Sequence, residues 1–194
     1  MESLEAYLER LASHEPMPGG GSAAALVGAV AAALVAMVGR IAKSAPDNLA
    51  ARADELRIKL LDARTCDEDA YAAVIAVQAL PKSTESERAA RARLLEEALA
   101  GAAAAPLETA ALALEVLELV DRLLKIPMGA LESDVACAAE FAYAALTACG
   151  YNVRVNHRYM RNDMTIRRQA LELVRYEGAG GQILNRARHA VAKD

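Results

Sequence analysis

Apolar and polar positions along the chain follow the pattern of helices rather than that of strands. No segment alternates strongly between apolar and polar residues and ends in hairpin turns, as half-buried strands do. Long apolar-rich segments are instead separated by proline and glycine residues, which commonly punctuate helices. The pattern predicts an all-α fold, a helical bundle in which residues 1–194 form one domain.

Capping residues and helix breakers place the predicted helix ends. Prolines stop the first and third helices, and Thr84 with Glu87 forms a capping box that opens the fourth. Gly150 and the glycine-rich stretch 178–181 are expected to end two later helices. The predicted helices cover residues 2–14, 22–44, 48–80, 84–125, 133–149, 156–177 and 182–192, with Pro106 either ending a helix inside 84–125 or kinking one continuous rod.

The second predicted helix contains an unusual uncharged segment. Residues 22–39 carry no charge, and their length is near the lower limit for a membrane span. The segment is mostly alanine and glycine rather than leucine, so its tendency to insert into a membrane is weak. Alanine buries little area per residue, and helices rich in it need close packing on all faces. We therefore expect a buried central helix, no membrane span, and a core completed by homodimerisation.

Composition and charge exclude several function classes. The chain has a net charge of −4, and aromatic residues make up 4% of its 194 residues. A broad nucleic-acid-binding surface is not expected, because such surfaces are basic and often rich in aromatic residues. The three cysteines form no CxxC motif and the three histidines are scattered, so no metal site is predicted. The N-terminus is acidic and amphipathic, unlike a signal peptide. We therefore expect a cytoplasmic protein.

The most informative motif is the glycine-rich segment before the second helix. Gly19, Gly20 and Gly21 precede Ser22, a plausible helix N-cap, within residues 16–22. Successive glycines permit positive φ and allow a ligand to approach the main chain closely, and a helix N-terminus favours an anion. The segment fits neither the P-loop nor the dinucleotide-binding fingerprint. It is either a ligand-binding loop or a packing turn.

An acidic cluster lies inside the third predicted helix. Asp69 shares a helix face with Asp62 and Cys66, and that face includes small apolar residues, which suggests partial burial of Asp69. A partly buried carboxylate has a shifted pKa and can transfer protons. Asp67 lies on a different face, with Tyr71 one turn later. The alternative interpretation is a solvated acidic face without function.

Three further stretches are candidates for ligand contact. Lys82 follows Pro81 and either lies in solvent or neutralises a ligand carboxylate. Ser133 and Asp134 begin a helix and fit an N-cap. Asn152 and Asn156 either satisfy nearby backbone groups or hydrogen-bond the amide edge of a heterocycle.

Taken together, these stretches resemble the cyclodeaminase family, which comprises the cyclodeaminase half of formiminotransferase-cyclodeaminase and stand-alone methenyltetrahydrofolate cyclohydrolases. The resemblance covers most of the chain, roughly residues 1–157. Its matching pieces are 18–25, 67–71, 81–82, 105–107, 133–136 and 152–156. The combination of a PGGGS segment, an alanine-rich helix and a later DxDA is specific to that family.

The resemblance implies a dimeric, all-helical enzyme that acts on one-carbon adducts of tetrahydrofolate. Such an enzyme hydrolyses 5,10-methenyltetrahydrofolate or removes ammonia from 5-formiminotetrahydrofolate, with the folate as substrate and without a cofactor. The site residues it implies are Gly19, Gly20, Gly21, Ser22, Asp67, Asp69, Lys82, Ser133, Asp134, Asn152 and Asn156, with the three aspartates as candidates for acid and base. The stretch 157–168 departs from the family in being unusually basic. The competing hypothesis is a non-catalytic helical protein that binds folate or serves as a scaffold.

Overall fold

The computed structural model describes residues 2–192, and all the regular structure in that range is helical. Six α-helices and one short 3-10 helix, Gly129–Leu131, follow one another along the chain. The α-helices are α1 (Leu4–Leu11), α2 (Gly20–Ile41), α3 (Leu49–Gln78), α4 (Glu85–Leu123), α5 (Glu132–His157) and α6 (Asp163–Val191). The predicted all-α class is confirmed.

The core lies where α2, α3, α4 and α5 pack against one another, and α6 covers α4 and α5. Small residues of α2 and larger aliphatic residues of the other helices form this core, including Ala32, Leu56, Val116, Leu146 and Leu173. Gly20 lies against Asn152 and Gly28 lies against Ala145, so α2 and α5 run antiparallel. This packing brings the N-terminal end of α2 beside the C-terminal part of α5.

Helix α2 is buried on one side and exposed on the other. It is long and apolar enough to cross a membrane, but 61% of its most apolar window is buried inside the protein. The exposed side carries the apolar residues Val27, Val30 and Ile41, with Val30 46% exposed. Within one chain the helix is therefore not covered on all faces.

The helix ends predicted at Gly150 and at residues 178–181 are wrong. Glycines at these places lie inside helices and permit close helix packing instead. Helix α5 passes through Gly150, and helix α6 passes through residues 178–181. A Cβ at Gly150 would lie 2.6 Å from Oε1 of Glu177 in α6, and one at Gly180 would lie 3.0 Å from Leu117 in α4. The next helix begins only at Asp163, where the Asn162 side chain accepts a hydrogen bond from the Thr165 N–H.

Helix α4 continues through Pro106, so the helix does not end there and the alternative of one continuous helix is the correct one. Proline has no N–H, which leaves the carbonyl of Ala102 without its helical donor. Nδ2 of Asn156 donates to that carbonyl oxygen at 3.0 Å. The capping box of Thr84 and Glu87 opens this helix as predicted, with both hydrogen bonds present.

Replacing Asn156 by leucine is expected to lower the free energy of unfolding by about 1–3 kcal/mol, because the Ala102 carbonyl would lose its partner. In a Pro106→Ala background the loss should be smaller, since residue 106 would again supply an N–H to Ala102. Urea unfolding of the wild type, the two single variants and the double variant measures the loss in each background. Equal losses in both backgrounds would show that the carbonyl does not depend on Asn156.

Candidate functional site

A pocket of about 220 Å³ lies at the N-terminal end of α2. The segment before α2 forms one wall, and α3 forms a second wall. The C-terminal part of α5 and a turn of α4 form the rest of the lining. The lining residues are Pro16, Met17, Gly19, Gly20, Gly21, Asp67, Glu68, Tyr71, Ala102, Asn152 and Asn156. We call this cavity the glycine pocket. It brings together six of the residues that the sequence singles out as site candidates. Ser22, another candidate, lies behind its wall.

The three glycines allow side chains from α3 and α5 to approach the start of α2. Gly19 is the N-cap and Gly20 the first helical residue, so Ser22 is inside the helix, contrary to its predicted capping role. A Cβ at Gly21 would lie only 2.1 Å from Oδ1 of Asp67. Positive φ is not the reason for these glycines, since among residues 2–192 only Gly129 has it. At Gly21 close approach is the reason, whereas a Cβ at Gly19 or Gly20 would meet its nearest neighbour at 3.5 Å or more.

Ser22 belongs to a buried hydrogen-bond network under the pocket. Its hydroxyl donates to Oε1 of Glu68 at 3.0 Å and lies 3.0 Å from the Tyr7 hydroxyl, whose residue is fully buried. Arg10 of α1 donates to the other oxygen of Glu68 at 2.6 Å. The negative charge of Glu68 is therefore matched by a neighbouring cation, and α1 is fixed against α2 and α3.

Asp67 projects from the middle of α3 into the glycine pocket. Its carboxyl group is half-buried, and in the described chain it has no ion-pair partner within 4.0 Å. Burial raises the pKa of Asp67 above its ordinary value; the Ser22 backbone N–H opposes this shift, and the negative charge of Glu68 adds to it. The charge of Asp67 also contributes, after burial, to raising the pKa of the Cys149 thiol to about 12. Asp67 is thus a carboxylate suited to accepting a proton.

The predicted burial of Asp69 is wrong, because Asp69 is exposed together with Asp62 and Cys66. Helix α3 packs through positions that include Leu60 and Val74, each seven residues from Asp67. Asp67 therefore shares the core-facing side of the helix, and the Asp69 face is the solvent face. This heptad spacing is the sequence signal that identifies Asp67 as the inward carboxylate.

Asn152 and Asn156 line the pocket and use their side-chain nitrogens within the chain. Nδ2 of Asn152 donates to the Ala148 carbonyl, and Nδ2 of Asn156 donates to the carbonyls of Ala102 and Asn152. Neither Oδ1 accepts a hydrogen bond from the described residues, 2–192. The first of the two expectations is confirmed, since the amide nitrogens satisfy backbone groups. The second, hydrogen bonding to a ligand, stays a prediction, for which the two oxygens offer acceptors.

The structure separates the remaining candidates from this pocket within one chain. Ser133 is exposed in the first turn of α5 and Asp134 is half-buried there; neither caps the helix, which begins after a 3-10 turn with Leu131 at the N-cap. Asp134 precedes Asn152 by eighteen residues, or about 27 Å along the helix axis. Lys82 is exposed and lines a different cavity.

Sequence reasoning missed Tyr7 and Arg10, which hold Glu68 and Ser22 from behind the site. The Tyr7 ring also lies under the Arg64 guanidinium, 4.3 Å from the ring centre. No local pattern marks these residues, since their partners in α2 and α3 are far away in the sequence.

The fold and the pocket define a class of all-helical proteins in which a glycine-rich helix N-terminus meets a half-buried carboxylate. Comparison with known proteins identifies the class: the family model of formiminotransferase-cyclodeaminase matches residues 3–175. The chain belongs to this family, as the sequence motifs predict.

Relatives and solved structures agree with this membership. The chain is 37% identical over 164 residues to a methenyltetrahydrofolate cyclohydrolase of Methylorubrum extorquens, with 80% of this chain and 79% of that protein covered. It is 30% identical over 171 residues to the formimidoyltransferase-cyclodeaminase of Rattus norvegicus, covering 84% of this chain but 32% of the rat protein. A crystal structure of formiminotetrahydrofolate cyclodeaminase from Thermotoga maritima has the same fold, with a TM-score of 0.86 and 24% identity over 97% of this chain and 95% of that one.

Proposed function

We propose that this chain hydrolyses the methenyl bridge of 5,10-methenyltetrahydrofolate in the glycine pocket, with Asp67 as the group that transfers the proton. The broader class, a folate one-carbon enzyme, follows from the family and from the relatives named above. One observation carries the proposal. The Asp67 carboxylate is half-buried, lies against the glycines of α2, and has no ion-pair partner in the described chain.

Cyclohydrolysis is favoured over cyclodeamination by sequence identity. The chain is 37% identical to the cyclohydrolase of Methylorubrum extorquens and 30% identical to the rat formimidoyltransferase-cyclodeaminase, over stretches of similar length. Removal of ammonia from 5-formiminotetrahydrofolate remains the second candidate, because the same carboxyl group can protonate a departing nitrogen.

The composition of the pocket suits the substrate. The methenyl bridge carries a delocalised positive charge, and a carboxylate next to it is electrostatically favourable. The free oxygens of Asn152 and Asn156 are acceptors for N–H donors on the edge of the pterin ring. Tyr71, 41% exposed at the pocket, offers an aromatic surface to a flat ring.

The proposed reaction needs one proton acceptor that later becomes a donor. A water oxygen attacks the methenyl carbon, and Asp67 takes the proton as the new C–O bond forms. The bond from that carbon to one of its two nitrogens then breaks as the nitrogen takes the proton from Asp67. The new hydroxyl group loses its proton to solvent, which leaves a formyl group on the other nitrogen. A pKa raised by burial brings the carboxyl closer to the operating pH, which improves both transfers. Glu68 is less suited, because Arg10 and Ser22 already occupy its oxygens.

Loss of methenyltetrahydrofolate absorbance, with spontaneous hydrolysis subtracted, tests the proposal. We expect turnover by the purified protein with no added cofactor or metal. Release of ammonia from the formimino substrate, without hydrolysis of the methenyl compound, would favour the cyclodeaminase. Binding of the folate without either reaction would favour the non-catalytic alternative.

A homodimer is proposed to form through the exposed side of α2. Val27, Val30 and Ile41 expose apolar surface along a helix that lacks charge from 22 to 39, and Phe141 is exposed on the neighbouring α5. Exposed apolar stripes of this kind commonly mark protein interfaces. We expect the dimer to reside in the cytoplasm.

A solution mass measurement at micromolar concentration is expected to give twice the chain mass. Val30→Glu should shift the protein toward the monomer, since a charge would be buried in the interface. Val174→Glu, on the exposed face of α6, serves as the matched control and should leave the mass unchanged. A monomeric wild-type protein, or recovery only in membranes, would contradict this interface.

A further inference from the structure

Two residues of the short helix α1 reach the back of the glycine pocket. Within the described chain Tyr7 is the only residue of α1 that is buried, and its hydroxyl lies 3.0 Å from that of Ser22, fifteen residues later. Arg10, one turn after Tyr7, donates to Glu68 at 2.6 Å. Neither Tyr7 nor Arg10 lines the pocket, so any effect on the reaction must pass through the residues they hold.

The hydrogen bonds behind the pocket run in one direction and end on Glu68. The Ser22 hydroxyl has a single proton, which it donates to Oε1 of Glu68. The Tyr7 hydroxyl must therefore be the donor to Ser22, because Ser22 Oγ can only accept from it. Arg10 donates to the second oxygen, Oε2 of Glu68. All of these hydrogen bonds stabilise the negative charge of Glu68, and protonation of that carboxylate would weaken them.

Ser22 also connects Glu68 to its neighbour Asp67. The backbone N–H of Ser22 donates to the Asp67 carboxylate, while its hydroxyl donates to Glu68. Ser22 is the third residue of α2, where a helical N–H has no partner within its own helix. The N-cap residue, Gly19, has no side chain to supply one. Two adjacent carboxylates of α3 are thus held by one residue of α2, and the position of that residue is fixed by Tyr7.

The two carboxylates differ in the groups that face them. Glu68 faces the Arg10 cation, whereas Asp67 has no cation within 4.0 Å in the described chain. Asp67 faces the Ser22 N–H of α2, the charge of Glu68 on its own helix, and the Cys149 thiol of α5, whose pKa its charge helps to raise. The other charged or titratable neighbours are Tyr71 in the pocket, and Glu2 and Arg64 behind α1.

We propose that Tyr7 and Arg10 are positioning residues for the reaction in the glycine pocket, and that they act through Glu68. This inference rests on the proposed function, in which Asp67 transfers the proton. The hydrogen bonds from α1 keep Glu68 charged and fixed, so Asp67, beside it, is the carboxylate that exchanges the proton. A helix that does not line the pocket thereby gives two neighbouring carboxylates different roles.

The dependence of kcat/KM on pH tests the role of Arg10. Activity should fall in acid as Asp67 becomes protonated, and in Arg10→Gln this fall should lie at a pH higher by about half a unit or more. Glu68 would lose the cation that balances and holds its charge, and an unbalanced anion raises the pKa of a neighbouring carboxyl group. Arg10→Lys keeps the charge and should stay near the wild type. Arg93→Gln is the matched control, because it removes an exposed arginine that pairs with Glu97 and does not line the pocket.

Double variants show whether the two residues act through the groups named. In a Glu68→Gln background, Arg10→Gln should move the acid fall little, since the carboxylate through which it acts is gone.

Tyr7→Phe should lower kcat by up to about tenfold, the usual contribution of one hydrogen bond, with little change in KM. In a Ser22→Ala background it should have no further effect. A higher KM with unchanged kcat in Tyr7→Phe would overturn its assigned role, because Tyr7 would then only hold the segment before α2 in place.

Carbon-13 NMR of the carboxyl groups separates this inference from the proposed function. The Asp67 resonance, assigned by its loss in Asp67→Asn, should titrate at higher pH in Arg10→Gln than in the wild type. That result supports the positioning role even if no folate is turned over. Wild-type turnover, together with an unchanged Asp67 titration and an unchanged acid fall in Arg10→Gln, overturns the inference and leaves the proposed function standing. An equal shift in Arg10→Lys would also overturn it, because the charge of residue 10 would not be the cause.

Discussion

Asp67→Asn is expected to lower kcat for methenyl hydrolysis by about 10²–10⁴-fold, the usual contribution of a positioned proton-transfer group. Asparagine keeps the size of the side chain and can still accept from the Ser22 N–H, but it cannot take a proton from water. Folate binding should change far less, because the pocket keeps its shape. The absorbance assay, with the spontaneous rate subtracted, gives kcat, and equilibrium binding gives the affinity.

The same substitution has an expected effect on stability whose sign follows from the raised pKa of Asp67. Below the ordinary carboxyl pKa, Asp67 is protonated in both the folded and unfolded states and has no effect. As the pH rises through the raised folded-state pKa, the folded protein binds more protons than the unfolded chain, so the free energy of unfolding falls. Asp67→Asn should therefore melt at a higher temperature than the wild type at pH 7, with a smaller difference in acid.

Asp69→Asn is the internal control for Asp67→Asn. Asp69 lies two residues away on the same helix, is exposed, and does not line the glycine pocket. Its substitution should change kcat little. A large loss in Asp69→Asn with a small one in Asp67→Asn would reverse the assignment. Equal losses would indicate that the two carboxylates act together.

Gly21→Ala should reduce turnover by about 10²-fold, an effect comparable to a displacement of about 1 Å in a reacting group. The new Cβ would lie 2.1 Å from Oδ1 of Asp67 and 2.5 Å from its Cγ, so the carboxylate must move. Alanine favours helix, and residue 21 lies in the first turn of α2, so helicity should be retained. Circular dichroism and the kinetic assay together measure the two effects.

Gly20→Ala is the matched control for Gly21→Ala. A Cβ at Gly20 would meet the Asn152 side chain at 3.5 Å, an ordinary contact, so the variant should keep most of its activity. Gly21→Ala with full activity would show that Asp67 need not lie against the start of α2. Unfolding of Gly21→Ala would instead mean that the glycines serve packing alone.

Local sequence determined the helices and several of their ends. The capping box of Thr84 and Glu87, the prolines between helices and the uncharged segment of α2 each act within a few residues, so they could be interpreted without a fold. The spaced motifs also determined the family and six residues of the glycine pocket. Glycine signals failed at Gly150 and at residues 178–181, because neighbouring helices pack closely against Gly150 and Gly180. The sequence left two alternatives at Pro106, and only the structure distinguished them.

Tertiary packing decided which residues act together. Asp67 and Asp69 are chemically alike and two positions apart, and only the packing of α3 on the core turns Asp67 inward and Asp69 to solvent. The length of α5 separates Asp134 from the pocket within one chain, although sequence motifs group it with Asn152. One surface cavity is lined by side chains from segments that lie far apart in the sequence, among them Lys82, Arg88, Arg91 and Arg161. Backbone propensity acts over one or two turns, whereas a binding site depends on which helix faces meet, and that depends on side-chain packing throughout the bundle.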